Sequence, residues 1–349
     1  MSSPSPVNPL DTLGLRYPLL QAPMAGVSDY RLAIAIGEAG GLGALPCAFY
    51  DNDQVRSQVS QLREQSSAPY NLNFFCHRAP EDNPSAQARW RDALTLFYRQ
   101  YGLEDAEPKP GPARRSFGPE QAALVEELRP AVVSFHFGLP TRELLERVKA
   151  AGAIVLSSAN TAAEGQWLEA NGVDAVIAQG IEAGGHRAMF LSDSLEEQPT
   201  TLALVDQLVT SLQVPVIAAG GIGNRDLVSE ALSSGAAAVQ LGTALMLCPE
   251  CNTSELHRQA LKEAPQRGTV VTNLYSGRPA RSIETALTRR LGPISELAPA
   301  FPTAGQMLGP LRAAAESAGE FDFTPVWSGT RPETCREVPV RQLISELFA

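Results

Sequence analysis

The chain is poor in cysteine, in long apolar segments and in positive charge. Its five cysteines are too few and too scattered for a disulfide framework. No run of about 18 apolar residues occurs, so no membrane-spanning helix is expected. The formal net charge is -10, which argues against a nucleic-acid surface or an anchor for anionic membranes. Residues 1–15 form a Ser- and Pro-rich arm without the basic and apolar regions of a signal peptide, so a cytoplasmic location is expected.

What the chain does contain is typical of a globular protein with a sizeable core. Hydrophobic residues make up 44% of the sequence and charged residues 19%. Its 349 residues suit one large domain with an appendage, or two domains. Cys248 and Cys251 have the spacing of a redox or half-zinc motif. No second cysteine or histidine pair accompanies them, so no metal site is expected.

Short apolar runs alternate with amphipathic segments along most of the chain. Such runs suit strands that are buried on both faces, as in parallel sheets. Eight of them are predicted as strands: 18–22, 43–46, 70–75, 132–137, 154–158, 175–179, 214–219 and 238–241. Helices are predicted between them over 30–40, 142–151, 161–170 and 225–234, each followed by a small residue or glycine that can end a helix.

Eight strands alternating with helices predict an α/β fold, a (β/α)8 TIM barrel. The alternative is a doubly wound open sheet, in which a Gly-x-Gly-x-x-Gly turn would follow the first strand. Here that turn reads Pro23-Met-Ala-Gly26. The barrel is therefore expected within residues 1–250.

Two stretches interrupt the alternation. Residues 77–120, an insertion after the third strand, are charged and Pro-rich and are expected to form an excursion over a barrel end, with a helix near 86–101. Residues 251–349 are expected to form a C-terminal cap of helices and loops over the active site. In this cap, helices are predicted near 254–264 and 306–318, and its last part is expected to pack back on the barrel.

Glycines after the last two strands indicate a phosphate site. Gly220, Gly221, Gly242 and Thr243 let backbone N–H groups approach an anion, helped by the dipole of a short helix. Barrels often bind phosphate at these two loops. Active sites of this fold lie at the carboxyl ends of the strands, where the polar residues of this chain also collect.

Two histidines stand at neighbouring strand ends. His186 follows Gly184 and Gly185 and is the leading candidate for a catalytic residue, because imidazole exchanges protons near neutral pH. His136 ends the fourth strand and is the candidate for substrate binding, although such a residue can also simply be packed.

The amides of Asn73 and Gln179 suit the edge of a flavin ring, which presents alternating donors and acceptors. Together with the phosphate loops they favour a flavin. A nicotinamide site is less favoured because no dinucleotide fingerprint is present. A flavin-free phosphate-binding barrel, such as an isomerase, remains an alternative.

Six segments together resemble the nitronate monooxygenase family, formerly called 2-nitropropane dioxygenases, in its class I form. They are 21–26 with 39–43, Phe135-His-Phe-Gly138, Gln179–Arg187, 219–222 and 239–243. The resemblance implies an FMN enzyme that oxidises alkyl nitronates with O2 to nitrite and a carbonyl compound, without a metal. It further implies a catalytic His186 and FMN contacts from Ala22, Pro23, Met24, Asn73, Gln179, Gly184, Gly221, Gln240, Leu241, Gly242 and Thr243.

The cap differs from the family pattern where substrate is chosen. Tyr and Lys residues surround the pocket mouth in that class, whereas residues 254–257 and 299–306 here contain His, Phe and Gln. An FMN-dependent NAD(P)H reductase for a quinone or an enoyl thioester is therefore the alternative function. The expected partners are a nitronate anion and O2, for a monomer or homodimer.

Overall fold

The computed structural model describes residues 8–108 and 114–349. The first seven residues of the N-terminal arm, together with Pro110 and Pro112 of the excursion, lie outside the described residues. Eight parallel strands form the central sheet: β1 (Leu19–Gln21), β2 (Gly43–Pro46), β3 (Tyr70–Phe75), β4 (Val132–His136), β5 (Ile154–Ala159), β6 (Ala175–Gln179), β8 (Val216–Ala219) and β9 (Ala238–Leu241).

The sheet closes on itself as a barrel. Its strand order is β1-β9-β8-β6-β5-β4-β3-β2, so only β1 and β2 stand at its two ends. These two strands meet through a parallel bridge between Leu20 and Leu42, and the amide of Gln21 donates to the carbonyl of Leu42 at 2.9 Å. The predicted (β/α)8 barrel is confirmed, and the open sheet is excluded because an open sheet leaves its edge strands unpaired.

Helices cover the outside of the barrel. They are α1 (Tyr30–Ala39), α2 (Asn52–Gln65), α5 (Pro119–Leu128), α6 (Arg142–Ala150), α7 (Ala162–Ala170), α8 (Thr201–Ser211) and α9 (Arg225–Ser233). Local sequence sets where they begin: Asp29, Thr161 and Asn224 each accept a hydrogen bond from an N-terminal amide of the following helix. Glycine in the left-handed conformation ends α1 at Gly40, where φ is 100°.

Side chains along each strand alternate between two faces of the sheet. One face packs against the helices as an outer core, and the other face points into the barrel. In β3, Leu72 and Phe74 pack against the helices, while Asn71 and Asn73 point inward. Apolar residues such as Leu156 and Ile217 fill the lower interior, and a short 3-10 helix, Pro9–Leu13, packs there through Leu10. Because apolar side chains fill the lower interior, the inward-pointing polar side chains lie at the carboxyl end of the barrel.

The excursion and the C-terminal segment pack on each other. The excursion carries α3 (Pro84–Ala93) and α4 (Thr95–Gln100), and the C-terminal segment carries α10 (Glu255–Arg267), α11 (Ala286–Leu291), α12 (Gly305–Ser317) and α13 (Val340–Leu347). They share a second apolar core, in which Trp90 donates to the carbonyl of Ala304 at 3.0 Å. The last helix, α13, returns to the barrel and packs against α1.

One feature of the C-terminal segment differs from the helical cap that was expected. Strands β10 (Thr269–Thr272) and β11 (Ala280–Ile283) form an antiparallel sheet with β7, the dipeptide Gly185–His186. His186 pairs with Ala280 in this sheet, so it lies on a strand rather than in a free loop. Strands of two and four residues carry too little periodicity to be recognised from sequence.

No helix in the described part of the chain is long and apolar enough to cross a membrane.

Candidate active site

A cavity opens at the carboxyl ends of the barrel strands and encloses about 1380 Å³, part of it open to solvent. Thirteen of the fourteen residues predicted from sequence line it. They are Ala22, Pro23, Met24, Asn73, His136, Gln179, Gly184, His186, Gly220, Gly221, Gln240, Gly242 and Thr243. The strand topology therefore brings together side chains that are spread over more than 220 positions of sequence.

Leu241 is the exception. Its side chain is completely buried in the outer core between the sheet and the helices. Gln240 already points into the barrel, and neighbouring strand residues point to opposite faces, so Leu241 has to face outward. Only its backbone is near the site, where its carbonyl accepts from the amide of Ala22 at 2.8 Å.

His186 is held by contacts to both its ring and its backbone. Its Nε2 lies 2.9 Å from the hydroxyl of Ser276, a residue that is completely buried. Its carbonyl accepts from Nε2 of Gln179 at 3.0 Å and from Nε2 of His136 at 3.2 Å. These contacts fix the position of the ring at the cavity wall.

The partners of Ser276 indicate which nitrogen of His186 carries the proton. We assign the proton of the Ser276 hydroxyl to the carbonyl of Arg278, 3.2 Å away, which leaves the oxygen to accept a hydrogen bond from His186. Nε2 of His186 then donates to Ser276, and Nδ1 is the unprotonated nitrogen. Nδ1 has no hydrogen-bond partner among the described residues and is not buried, so it is available as a base.

Replacing Ser276 by Ala is expected to lower kcat about tenfold with little change in KM. The hydrogen bond that fixes the tautomer of His186 is lost, and such bonds contribute about 0.5–1.5 kcal/mol. Steady-state kinetics would measure the effect. Ser282→Ala is the matched control, because Ser282 is equally buried but its hydroxyl donates to Val326. An unchanged kcat in Ser276→Ala would contradict the assignment of the tautomer.

Burial keeps the histidines of the site neutral. Desolvation, together with the nearby charge of Arg278, lowers the pKa of His136 to about 3. The pKa of His186 is also lowered, first by burial and then by the charge of Arg114. Neutral imidazoles can accept a proton or donate a hydrogen bond at physiological pH without first losing a charge.

Aromatic residues enclose His186. The ring centroids of Trp327 and Phe301 lie 5.3 and 5.4 Å from that of His186, and Phe75 lies at 6.4 Å. His77 packs edge-on against Phe301 at 4.9 Å. Phe301 lies in the stretch 299–306 that was expected at the pocket mouth, whereas no local pattern marks Trp327 as a site residue.

The altered cap position His257 lies outside the cavity wall. Its Nε2 donates to the carbonyl of Trp327 at 2.9 Å, and the side chain is 5% exposed. Burial lowers the pKa of His257 to about 4. The unfolded chain binds a proton near pH 6.5, so His257 stabilises the fold above that pH, and this contribution is lost as the pH falls towards 4.

His257→Gln is expected to reduce the acid sensitivity of the protein. Gln can still donate to the carbonyl of Trp327 but does not titrate, so about 3 kcal/mol of the stability lost between pH 7 and pH 4 should be retained. The measurement is the free energy of unfolding in urea at both pH values. An equal loss in the variant and the parent protein would show that His257 is not the titrating group.

Asn73 and Gln179 keep one hydrogen-bonding function each for a ligand. Asn73 donates through Nδ2 to Ser134, while its Oδ1 has no partner among the described residues. Gln179 accepts from Asn160 and Ala188 through Oε1, and only one of its two Nε2 protons is used. One free hydrogen-bond acceptor and one free donor on the cavity wall fit the edge of a heterocyclic ring that carries alternating donors and acceptors.

The glycine loops form a cradle at another part of the cavity. A Cβ on Gly242 would lie 3.3 Å from Cβ of Ala22, and Gly221 has a φ of 65° that favours glycine. The expected helix dipole is small here, because only a three-residue 3-10 helix, Thr243–Leu245, follows. Exposed Arg331 also lines the cavity and offers a positive charge that sequence reasoning missed.

Comparisons with known proteins show the family and the fold of the chain. The family model described as nitronate monooxygenase matches residues 9–349. A nitronate monooxygenase of Paraburkholderia phytofirmans is 39% identical over 342 residues, covering 97% of this chain and 93% of the relative. The crystal structure of a nitroalkane oxidase from Streptomyces ansochromogenes is 34% identical, with a TM-score of 0.88 and 98% and 97% of the two chains covered. FabK from Thermotoga maritima is 26% identical, with a TM-score of 0.68 and coverage of 97% and 93%.

Proposed function

Because the chain belongs to the nitronate monooxygenase family and is therefore an oxidoreductase, we propose that it binds FMN and oxidises alkyl nitronates with O2, releasing nitrite and a carbonyl compound. The observation that carries the proposal is His186. Its imidazole lines the same cavity as the glycine loops, Asn73 and Gln179, and we assign its Nδ1 as the unprotonated nitrogen.

The residues of the cavity fit FMN. The loops at Gly220–Gly221 and Gly242–Thr243, with Arg331, would hold the phosphate through backbone N–H groups and one cation. Asn73 and Gln179 would bind the ring edge, and Ala22–Met24 would form a wall beside it. When bound, FMN supplies the electron-accepting chemistry of the reaction, while the protein supplies binding, orientation and electrostatics.

His186 has two roles open to it on these contacts. With a neutral nitroalkane, Nδ1 takes the proton from the carbon next to the nitro group, while Nε2 keeps its own proton in the hydrogen bond to Ser276. With a preformed nitronate, the same ring orients the anion. The positive charges of Arg114 and Arg278 act on the imidazole of His186 and oppose its protonation. The same two charges favour a negatively charged substrate at this place.

The apolar wall excludes water from this reaction. The imidazole of His186 is surrounded by the rings of Phe75, Phe301 and Trp327. These rings occupy space beside the imidazole that water would otherwise fill. A low-dielectric environment strengthens the electrostatic interactions of a small anion. His136, which donates to the carbonyl of His186, would keep the substrate side of the site in place.

The proposal is tested by a spectrum and two assays on the purified protein. Bound FMN is expected to absorb near 450 nm, and oxygen uptake is expected when propionate 3-nitronate is added in air. A colourless protein that takes up no FMN would exclude the flavin and favour a phosphate-binding barrel. Rapid bleaching by NADPH without oxygen, with no uptake on nitronate, would favour the NAD(P)H-dependent reductase.

A further inference from the structure

Arg187 is a charged residue buried directly behind the cavity wall. Its side chain has no exposed surface, although it follows His186 in sequence. Its Nη2 donates to the carbonyl of Gln179 at 2.9 Å, and its Nε donates to Oε1 of Gln198 at 2.8 Å. Gln179 itself lines the cavity, so one residue separates the guanidinium from the ligand space.

The charge of Arg187 is not neutralised by an ion pair. Both of its hydrogen-bond partners are uncharged, and Nη1 has no partner in residues 8–108 and 114–349. No carboxylate of the described residues lies within 4.0 Å of the guanidinium. Burial lowers its pKa to about 9, so the group remains a cation at neutral pH. An unpaired buried cation is costly, and its charge acts over a long range in a medium of low dielectric constant.

Three other charged groups act on Arg187. Arg281 opposes its charge, whereas Glu182 and Glu164 favour it. Glu164 accepts from the amides of Asn160 and Phe190 at 2.7 Å, which offsets part of its negative charge. Glu182 accepts from the amide and hydroxyl of Thr201. Neither carboxylate pairs directly with Arg187, so its guanidinium is the charged group that contacts the carbonyl of Gln179.

We propose that Arg187 is a positioning residue for the flavin, whose buried charge, held behind Gln179, stabilises the negative charge that the ring gains when it is reduced. The inference rests on the proposed FMN site. Charge near the flavin ring is one of the means by which proteins adjust its electron affinity. The same guanidinium keeps the carbonyl of Gln179 in place, so charge and geometry act on the ring together.

The test compares Arg187→Gln with Arg187→Lys on FMN-loaded protein. Gln removes the charge and retains one amide donor, whereas Lys retains the charge. The readouts are the midpoint potential of the flavin and the dissociation constant for sulfite, which adds to oxidised flavin and leaves a negative charge on the ring. For Arg187→Gln we expect a lower potential and roughly tenfold weaker sulfite binding, with Arg187→Lys close to the parent protein.

Arg99→Gln is the matched control, since it removes one positive charge from an exposed position on α4 and should leave both readouts unchanged. If Arg187→Gln binds FMN but has the parent potential and sulfite affinity, the proposal is wrong. A parent protein that binds no FMN would instead overturn the proposed function. If Arg187→Gln does not fold, the flavin potential of Arg187→Lys decides between the outcomes. A potential below that of the parent protein would exclude the charge of residue 187 as the cause and overturn the proposal. A potential equal to that of the parent protein would support the proposal.

Discussion

His186→Asn is expected to keep its bound FMN and to lose about 10²- to 10⁴-fold in kcat on a neutral nitroalkane, the range typical of a removed general base. Asn cannot accept a proton at the position of Nδ1. The contacts of Gln179 and His136 go to the carbonyl of residue 186, which the substitution leaves in place. The cavity should therefore stay formed and the protein yellow.

The nitronate form of the same substrate separates the two roles of His186. A nitronate has already lost its proton, so a base should matter less for it than for the nitroalkane. A loss confined to the nitroalkane indicates proton abstraction, and an equal loss on both indicates orientation of the anion. Unchanged turnover on both substrates, at full FMN content, would remove His186 from the mechanism.

Gly242→Leu is expected to weaken FMN binding roughly 10- to 100-fold or more, because a side chain there would occupy the cradle for the phosphate. A Cβ at this position already lies 3.3 Å from Ala22 and 3.7 Å from the sulfur of Met24. Gly242 has a φ of -123°, outside the left-handed region, so it is a cleaner test than Gly221, where φ is 65°. The FMN content and the dissociation constant of FMN give the measurement.

Gly242→Ala is the graded control. A single methyl group should have a smaller effect on FMN affinity, and both variants should have near-parent far-UV spectra. A fully loaded Gly242→Leu protein would show that the phosphate binds elsewhere.

Much of the candidate site could be predicted because strand ends are marked in sequence. In a barrel, the residues that follow parallel strands converge at one end, so polar residues after β1, β3, β6, β8 and β9 had to meet. Leu241 was predicted as a contact from a family motif, and the alternation of the strand turns its side chain away. A sequence motif identifies a segment near the site. Which residues of that segment face the ligand depends on the alternation of side chains along the strand.

Residues of the C-terminal segment could not be predicted in this way. Ser276 and Trp327 contact His186 from 90 and 141 positions away, in a part of the chain without strong periodicity. Arg331 reaches the cavity from the same segment. Their roles depend on how α10 to α12 and the small sheet pack over the barrel, which is a property of the tertiary structure.

The sequence alone determined the barrel, the two glycine loops and His186, because these features are local: apolar runs with a period, glycines after strands and a histidine beside them. Only the tertiary structure decided which nitrogen of His186 is assigned as free, which rings surround it and that Arg187 lies buried without an ion pair among the described residues. Burial and hydrogen-bond partners arise from packing between distant segments, and they set the charge and tautomer of each group.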